Sequence, residues 1–149
     1  MEVRFMQVTI MEAGQEDYVS IHRLVNNELG YGQIGYENLC VRLDLMKLSE
    51  NYSTIVAKAD GTVLGFIGLL RSIAYNVEGE YLQVTAMAVF EDFQNRGVGS
   101  QLLAYAEEYA KKYNIQRIVL TSRLHRIKAH SFYKGNGYVI KSYGFKKDI

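Results

Sequence analysis

Residues 81–122 read YLQVTAMAVFEDFQNRGVGSQLLAYAEEYAKKYNIQRIVLTS, and this stretch decides the fold. Residues 81–90 are nearly all apolar and predict a strand that is buried on both faces in the middle of a sheet. Residues 97–113 predict a strong amphipathic helix, and residues 115–122 predict another buried strand. A strand, a helix and a strand in this order predict a parallel crossover, with the first loop at the carboxyl end of the first strand.

The loop between that strand and that helix contains QNRGVGS at residues 94–100. The first N–H groups of a helix have no partner within it, and the helix dipole adds positive potential at the same end. Gly97 and Gly99 let the backbone approach a diphosphate closely, and Arg96 adds a positive charge. An ordinary glycine-containing loop is the alternative for so short a pattern. The position after a buried strand and before a strong helix favours the anion site.

The residues before this stretch predict a strand and two helices. Alternating residues 5–11 predict the strand, and apolar residues at helical spacing predict helices over residues 15–29 and 36–48. The segment LGYGQIG, residues 29–35, separates the two helices with its three glycines.

The remaining elements complete a mixed α/β fold. Residues 53–59 and 62–74 flank Asp60-Gly61, which is typical of a tight hairpin turn and predicts antiparallel pairing. Residues 126–134 predict a short helix that ends at a glycine-containing turn, and residues 138–146 predict a last strand that closes the sheet.

Length and composition indicate one folded domain, residues 1–149, without a membrane span. Apolar residues make up 48% of the chain, which suffices for one well-filled core. No window approaches about 18 uncharged apolar residues, and the N-terminus lacks the features of a secretory signal, so we expect a cytoplasmic protein. Cys40 is the only cysteine, which excludes an internal disulfide and a multi-cysteine metal site.

The net charge of +1 argues against bulk nucleic-acid binding, although the charges are distributed unevenly. From Lys111 onward the chain has ten Lys and Arg and one acid, whereas the first 110 residues have seven basic and fifteen acidic side chains. This asymmetry indicates an anion held on one side and a cation on the other. Two solvated faces that neutralise each other are the alternative.

The loop does not fit two other phosphate-binding patterns. A dinucleotide loop, G-x-G-x-x-G, requires glycine where this chain has Leu102, and a P-loop lysine is also absent. QNRGVG instead resembles R/Q-x-x-G-x-G/A, the acetyl-CoA pyrophosphate motif of the GNAT superfamily of N-acetyltransferases. One strand later, AHSFY at residues 129–133 and the following Gly137-Tyr138 resemble a second motif of the same superfamily.

The resemblance implies the GNAT fold, in which a central mixed, mostly antiparallel sheet splays at the acetyl-CoA slot and about four helices flank it. The strand before the loop carries a bulge in that superfamily, and a bulge re-aims backbone groups at a ligand. A freed N–H can then polarise the thioester carbonyl and stabilise the oxyanion. The residues that would contact acetyl-CoA by this mapping are Met87, Ala88, Val89, Gln94, Asn95, Arg96, Gly97, Val98, Gly99, Ser100, Arg126 and Tyr133.

The resemblance also implies how protons move. Tyr133 matches the tyrosine that faces the CoA sulfur, so it is the candidate general acid for the departing thiolate. Many relatives carry a glutamate base on the strand before the loop, where this chain has Thr85, which cannot act as a base at neutral pH. The substitute is a base that works through ordered water, supplied by Glu80, Glu78 or Glu91.

The implied reaction is direct acetyl transfer to a primary amine, with no covalent enzyme intermediate and no metal. The C-terminal pattern is similar to small-molecule members, including aminoalkylphosphonate acetyltransferase-like proteins, and implies an acceptor pocket lined by Tyr31, Thr85 and Tyr143. A non-catalytic acyl-CoA-binding module and a protein N-acetyltransferase are the alternatives. The resemblance further suggests a homodimer that contacts neither nucleic acid nor membrane.

Overall fold

The computed structural model describes residues 6–149, so the predicted first strand begins outside the described residues, at position 5. The chain divides into two compact units, Met1–Val119 and Leu120–Ile149. The first unit contains most of the sheet and three of the four α-helices. The second contains one helix and irregular backbone.

The first unit is built around a five-stranded sheet. The first four strands pair antiparallel, and the fifth follows the fourth through a helical crossover, beginning with a bond of 3.0 Å from Leu82 N–H to Arg117 O. The mixed, mostly antiparallel sheet confirms the predicted fold class. In spatial order the strands are β1 (Thr9–Glu12), β2 (Tyr52–Ala59), β3 (Thr62–Ile73), β4 (Glu80–Val89) and β5 (Ile118–Leu120).

The middle strand of the sheet is β3, so the prediction that residues 81–90 form the middle strand is wrong. Residues 63–69 of β3 are all buried, whereas burial in β4 is partial and is interrupted at the exposed Thr85. Both strands are apolar runs, and an apolar run does not reveal how many strands lie on either side of it.

Asp60-Gly61 forms the predicted hairpin turn between β2 and β3. The φ angles of 50° and 76° at these residues are the left-handed values that a type I′ turn requires. Beyond the turn, Lys58 pairs with Val63 whereas Ala57 pairs with Gly65, so one residue of β3 is left unpaired in a bulge.

Two helices precede the hairpin, close to their predicted bounds. A 3₁₀ turn, Gln15–Asp17, leads into α1 (Tyr18–Arg23), and a π-helical turn, Leu24–Glu28, continues it. The second helix, α2, spans Tyr36–Leu48. The side chains that both helices bury in the core are Tyr18, Ile21, Leu24, Val25, Leu39 and Leu43.

Asp17 is a buried carboxylate, only 3% exposed, at the start of this helical region. One carboxylate oxygen lies 2.7 Å from Lys58 Nζ on β2, and the other accepts the Gly14 N–H at 2.9 Å. Since both oxygens have partners, the buried charge is compensated, and it ties the helix start to the sheet.

The third helix, α3 (Val98–Lys112), buries its apolar stripe, and α4 (Ile127–Gly135) is the short helix of the second unit. The prediction of a last strand over residues 138–146 is wrong, because this segment is irregular, with Val139 and Ile140 each 70% exposed. The residues of α3 that are buried are Val98, Leu102, Leu103, Ala106 and Ala110.

Within residues 6–149, no helix is long and apolar enough to cross a membrane. The same part of the chain contains no group of three or more His, Cys, Asp or Glu side chains arranged to hold a metal ion. Cys40 is a half-buried free thiol on α2.

Candidate functional site

The loop between β4 and α3 turns sharply by means of two left-handed residues. It begins with a short 3₁₀ turn, Glu91–Phe93. The φ angle is then 62° at Asn95 and 83° at Gly97. Glycine adopts such angles without a steric penalty, and asparagine does so more readily than most residues. These residues let the chain reverse and begin α3 directly at Val98.

The start of α3 is an uncapped helix end. No side chain from residues 6–149 caps it, and the residue at the cap position is Gly97. The first hydrogen bond into the helix runs from Gln101 N–H to Gly97 O at 3.0 Å. The N–H groups of Val98, Gly99 and Ser100 precede this bond and have no acceptor within the helix. The predicted anion site requires donors of this kind at the start of the helix.

The loop is held in place by residues near the N-terminus, which sequence reasoning missed. Met6 N–H donates to Arg96 O at 3.0 Å, and the Gln101 side chain donates to Met6 O at 2.8 Å and to Gly97 O at 3.2 Å. Gln101 therefore links three backbone segments. The only sequence signal for this role is an amide side chain one helical turn after the left-handed glycine.

Gln94, the first residue of the motif, joins the loop to the end of β4. Its side-chain amide donates to Val89 O at 2.9 Å. The resemblance implies that the backbone of Val89 pairs with the pantetheine arm. A carbonyl oxygen has two lone pairs, so this bond leaves capacity for one further donor.

The predicted bulge lies at Thr85 in β4. Gly68 on β3 pairs with Ala86 and Leu69 pairs with Val84, so Thr85 has no partner residue on β3. A Cβ on Gly68 would lie 2.5 Å from Thr85 Oγ1, which is too close for any side chain without a shift. Glycine at position 68 thus makes room for the threonine in the bulge.

The acidic residues considered as a base are distributed over both ends of β4. Glu80 begins the strand and pairs with Arg71, with 3.5 Å between Oε1 and the guanidinium, while Glu78 is exposed in the preceding turn. At about 3.3 Å per residue, Glu80 lies roughly 16 Å along the strand from Thr85. Glu91 follows β4 directly and is exposed.

Tyr31, predicted to line the acceptor pocket, is 49% exposed in the segment between the first two helical regions. Two side chains of the first helical region fix the end of this segment, and sequence reasoning missed both. Asn26 accepts the Ile34 N–H and donates to Ile34 O, each at 3.0 Å. His22 Nε2 lies 2.6 Å from the same carbonyl oxygen and 2.9 Å from the amide nitrogen of Asn26.

The second unit contains the other predicted site residues. Arg126 precedes α4 and accepts the His130 N–H at 3.1 Å. Tyr133 is half-buried on α4, where its ring packs edge-on against Tyr138 with 5.9 Å between centroids. Tyr143 is 80% exposed in the irregular segment that follows. Within this unit, α4 therefore carries the phenol of the predicted site, and the cation lies on the residue before this helix.

Several known proteins are similar to this chain in sequence or in structure. YhdJ, an uncharacterized N-acetyltransferase of Bacillus subtilis strain 168, is 26% identical over 99% of both chains. Aminoalkylphosphonate N-acetyltransferase of Salmonella typhimurium strain LT2 is 29% identical over 89% of this chain and 82% of its own. A crystal structure from Bacillus halodurans C-125, described as a transcriptional regulator, has a TM-score of 0.88 at 25% identity and covers 96% of this chain and 100% of its own.

The family comparison covers most of the chain. The model described as the acetyltransferase (GNAT) family matches residues 18–138, which include the bulged strand β4, the loop and α4. The chain therefore belongs to the acetyltransferase (GNAT) family.

Proposed function

We propose that this chain transfers the acetyl group of acetyl-CoA to the primary amine of a small molecule. The observation that carries the proposal is the uncapped start of α3, which directly follows a strand with a central bulge. Family membership supports the reaction class. The Salmonella relative, named for an aminoalkylphosphonate, supports a small-molecule acceptor.

The donor binds along β4 and the loop in this proposal. The diphosphate accepts hydrogen bonds from the N–H groups of residues 97–100, and the exposed Arg96 adds a positive charge. The pantetheine arm pairs with the backbone of Met87, Ala88 and Val89. Gln94 and Asn95 shape the loop around the phosphates, and Arg126 binds a further phosphate of CoA.

The acceptor amine attacks the thioester carbon, and a tetrahedral intermediate forms. An N–H group freed by the bulge at Thr85 stabilises the oxyanion of this intermediate. The C–N bond then remains, the C–S bond breaks, and the departing thiolate takes a proton from Tyr133. The proton lost by the amine leaves through water, and the products are the acetylated amine and CoA.

A carboxylate that works through ordered water receives the amine proton. Glu80 and Glu78 lie before the bulge and Glu91 lies after β4, so the three place a carboxylate at either end of the strand. Glu80 has Arg71 as an ionic partner at 3.5 Å, whereas Glu78 and Glu91 are exposed. Tyr31, Thr85 and Tyr143 line the acceptor pocket in the same proposal.

A thiol-release assay tests the proposal. The purified protein is incubated with acetyl-CoA and a panel of amines that includes aminoalkylphosphonates, aminoglycosides and an N-terminal peptide, and free CoA thiol is measured. We expect release with a small amine, and a fall in kcat of roughly 100-fold or more in Tyr133→Phe. Tyr75→Phe is the matched control, since it removes an exposed phenol that belongs to no proposed site.

Two results would contradict the proposal. Tight CoA binding without thiol release for any amine would leave the chain as a donor-binding protein. Release with the peptide alone would assign it to protein acetylation. Mass spectrometry of the purified protein under native conditions complements the assay, because retained CoA identifies the donor site independently of turnover.

A second candidate is a non-catalytic acyl-CoA-binding regulatory module. It is favoured by Thr85 in the middle of β4, because a threonine cannot accept the amine proton at neutral pH. The Bacillus halodurans neighbour, described as a transcriptional regulator, is compatible with it. This candidate predicts the same CoA affinity in the wild type and Tyr133→Phe, with no thiol release by either.

We also propose that residues 1–149 act as one domain, since the family match crosses from the first compact unit into the second. A homodimer is the proposed assembly. Light scattering after size exclusion would show one species of about 34 kDa, twice the chain mass of 17.0 kDa, or would exclude the dimer by giving the monomer mass.

A further inference from the structure

A cavity of about 450 Å³ lies in the first unit, away from the donor loop. Its walls come from the end of β1, the start of β2, the C-terminal part of α2 and the second half of α3. This volume is typical of small-molecule sites. At 1.5 Å of rise per residue, its α3 residues lie about 10 to 22 Å along the helix from the uncapped start.

Tyrosine rings dominate the wall of this cavity. Tyr105, Tyr109 and Tyr113 recur at helical spacing and therefore share one face of α3. Tyr109 and Tyr113 pack against each other with 4.9 Å between ring centroids, and the Tyr109 hydroxyl lies 3.1 Å from Ser53 Oγ. The opposite walls add Tyr18 and Tyr52. We name this cavity the tyrosine pocket.

These rings already contact cations of the chain itself. Lys47 Nζ lies 5.8 Å from the centroid of Tyr18, and Lys112 Nζ lies 5.6 Å from that of Tyr113. The Arg71 guanidinium lies over the ring of Tyr113 at 3.9 Å. A cation within about 6 Å of an aromatic centroid is attracted to the face of the ring. The rings of Tyr18 and Tyr113 are therefore already faced by cations, whereas within residues 6–149 no cation lies over the ring of Tyr105 or Tyr109.

The carboxylates of the pocket favour the same sign of ligand. Glu12, Glu50 and Glu108 line it, against the two exposed lysines. Glu108 pairs with Lys111 at 2.9 Å, outside the lining, whereas Glu12 and Glu50 have no ion-pair partner among residues 6–149. Burial raises the pKa of Tyr105, and the nearby Glu12 carboxylate adds to the rise.

We propose that the tyrosine pocket binds a small organic ammonium ion, at a site separate from the donor loop. The rings supply faces for the cationic head, and Glu12 and Glu50 supply opposite charge at the rim. The binding involves no covalent step and no proton transfer. An anion of the same size would meet the electron-rich faces of the rings and more carboxylates than lysines, three against two.

Choline and its uncharged isostere 3,3-dimethylbutan-1-ol test the proposal. Choline has no N–H, so acetyl transfer to its nitrogen cannot consume it, and the result is independent of the proposed reaction. The binding of each is followed through the ring signals of carbon-13-labelled tyrosine. We expect saturable binding of choline and at least tenfold weaker binding of the alcohol.

The variants locate the site. Tyr105→Leu is expected to weaken choline binding at least tenfold, Tyr105→Phe to retain it, and Glu12→Gln to weaken it about fivefold. Glu107→Gln, an exposed acid on α3 outside the lining, is the matched control and should leave the affinity unchanged. Equal binding of choline and the alcohol overturns the proposal. So does a Glu12→Gln affinity that equals that of Glu107→Gln, and this test stands even if Tyr105→Leu fails to fold.

Discussion

The two ends of α3 present different chemical groups at the surface of the helix. At its start, Gly97 and Gly99 carry no side chains, and backbone N–H groups are the donors. At its other end, Tyr105, Tyr109 and Tyr113 cover the backbone and offer ring faces. The first arrangement suits an anion and the second a cation, although both belong to one helix. The difference teaches that a backbone site is sensitive to φ angles, whereas a side-chain site is sensitive to ring chemistry.

Gly97→Ala should have the largest effect of these variants, because it disrupts the start of α3, where backbone N–H groups are the donors. A left-handed alanine costs about 1–2 kcal/mol, and misaligned donors to a phosphate cost roughly 1.5–3 kcal/mol more. We expect acetyl-CoA to bind roughly 100-fold more weakly, measured by calorimetry. Gly61→Ala is the control, since φ is 76° there and the added Cβ has open space. A similar loss of affinity in Gly61→Ala would refute a local role for Gly97.

Gly68→Ala should perturb the bulge at Thr85 in β4, the strand that precedes the start of α3. The new Cβ would lie 2.5 Å from Thr85 Oγ1, so either the threonine side chain or the strands must shift, at a cost of about 1–3 kcal/mol in the free energy of unfolding. We expect a fall in kcat of about tenfold in the thiol-release assay. Adding Thr85→Ala removes the clashing hydroxyl and should restore most of the stability. A double variant as unstable as the single one would show that the clash is elsewhere.

Tyr18 lines the tyrosine pocket, and it should make the free energy of unfolding depend on pH. Burial and the hydrogen bond that its hydroxyl donates to Asp44, 2.8 Å long, raise its pKa to about 12. Between pH 10 and 12 the unfolded phenol ionises while the folded one stays neutral, so stability falls as the pH rises. The free energy of unfolding should drop by about 2 kcal/mol in this window. Urea unfolding at several pH values would test this, and Tyr18→Phe should remove most of that drop.

Gln101→Leu should have the smallest effect. It removes the side-chain bonds that hold the loop before α3, but the backbone N–H donors stay in place. Two hydrogen bonds of the Gln101 side chain are lost, each contributing about 0.5–1.5 kcal/mol. We expect the KM for acetyl-CoA to rise about fivefold with little change in kcat. Gln116→Leu, at an exposed position after α3, is the control. An unchanged KM in Gln101→Leu would mean that the loop holds its shape without this anchor.

Local signals predicted the parts of the fold that local interactions determine. The second helix runs from Tyr36 to Leu48 as expected, and Asp60-Gly61 makes the expected turn, because periodicity and turn chemistry act over a few residues. The position of the glycine-containing loop before α3 was also predictable from the sequence, since helix position and glycine spacing are properties of one short segment.

The remaining features depend on residues far apart in the chain. The bond from the Gln101 side chain to Met6 O joins positions 95 apart, and no pattern in the sequence marks it. The identity of the middle strand depends on the order of all five strands. The predicted strand at residues 138–146 failed for a related reason, because an apolar segment becomes a strand only where a neighbouring strand accepts its hydrogen bonds.

The buried pair of Asp17 and Lys58 has a consequence for the alignment of the β2–β3 hairpin. A strand that slips by one residue turns every side chain to the opposite face, so a misaligned β2 would carry Lys58 away from the carboxylate. Asp17 would then be buried without a cation, at a cost of about 3–5 kcal/mol. We infer that the pair disfavours misaligned hairpins, and in Lys58→Met they should become detectable as fast amide exchange confined to β2 and β3.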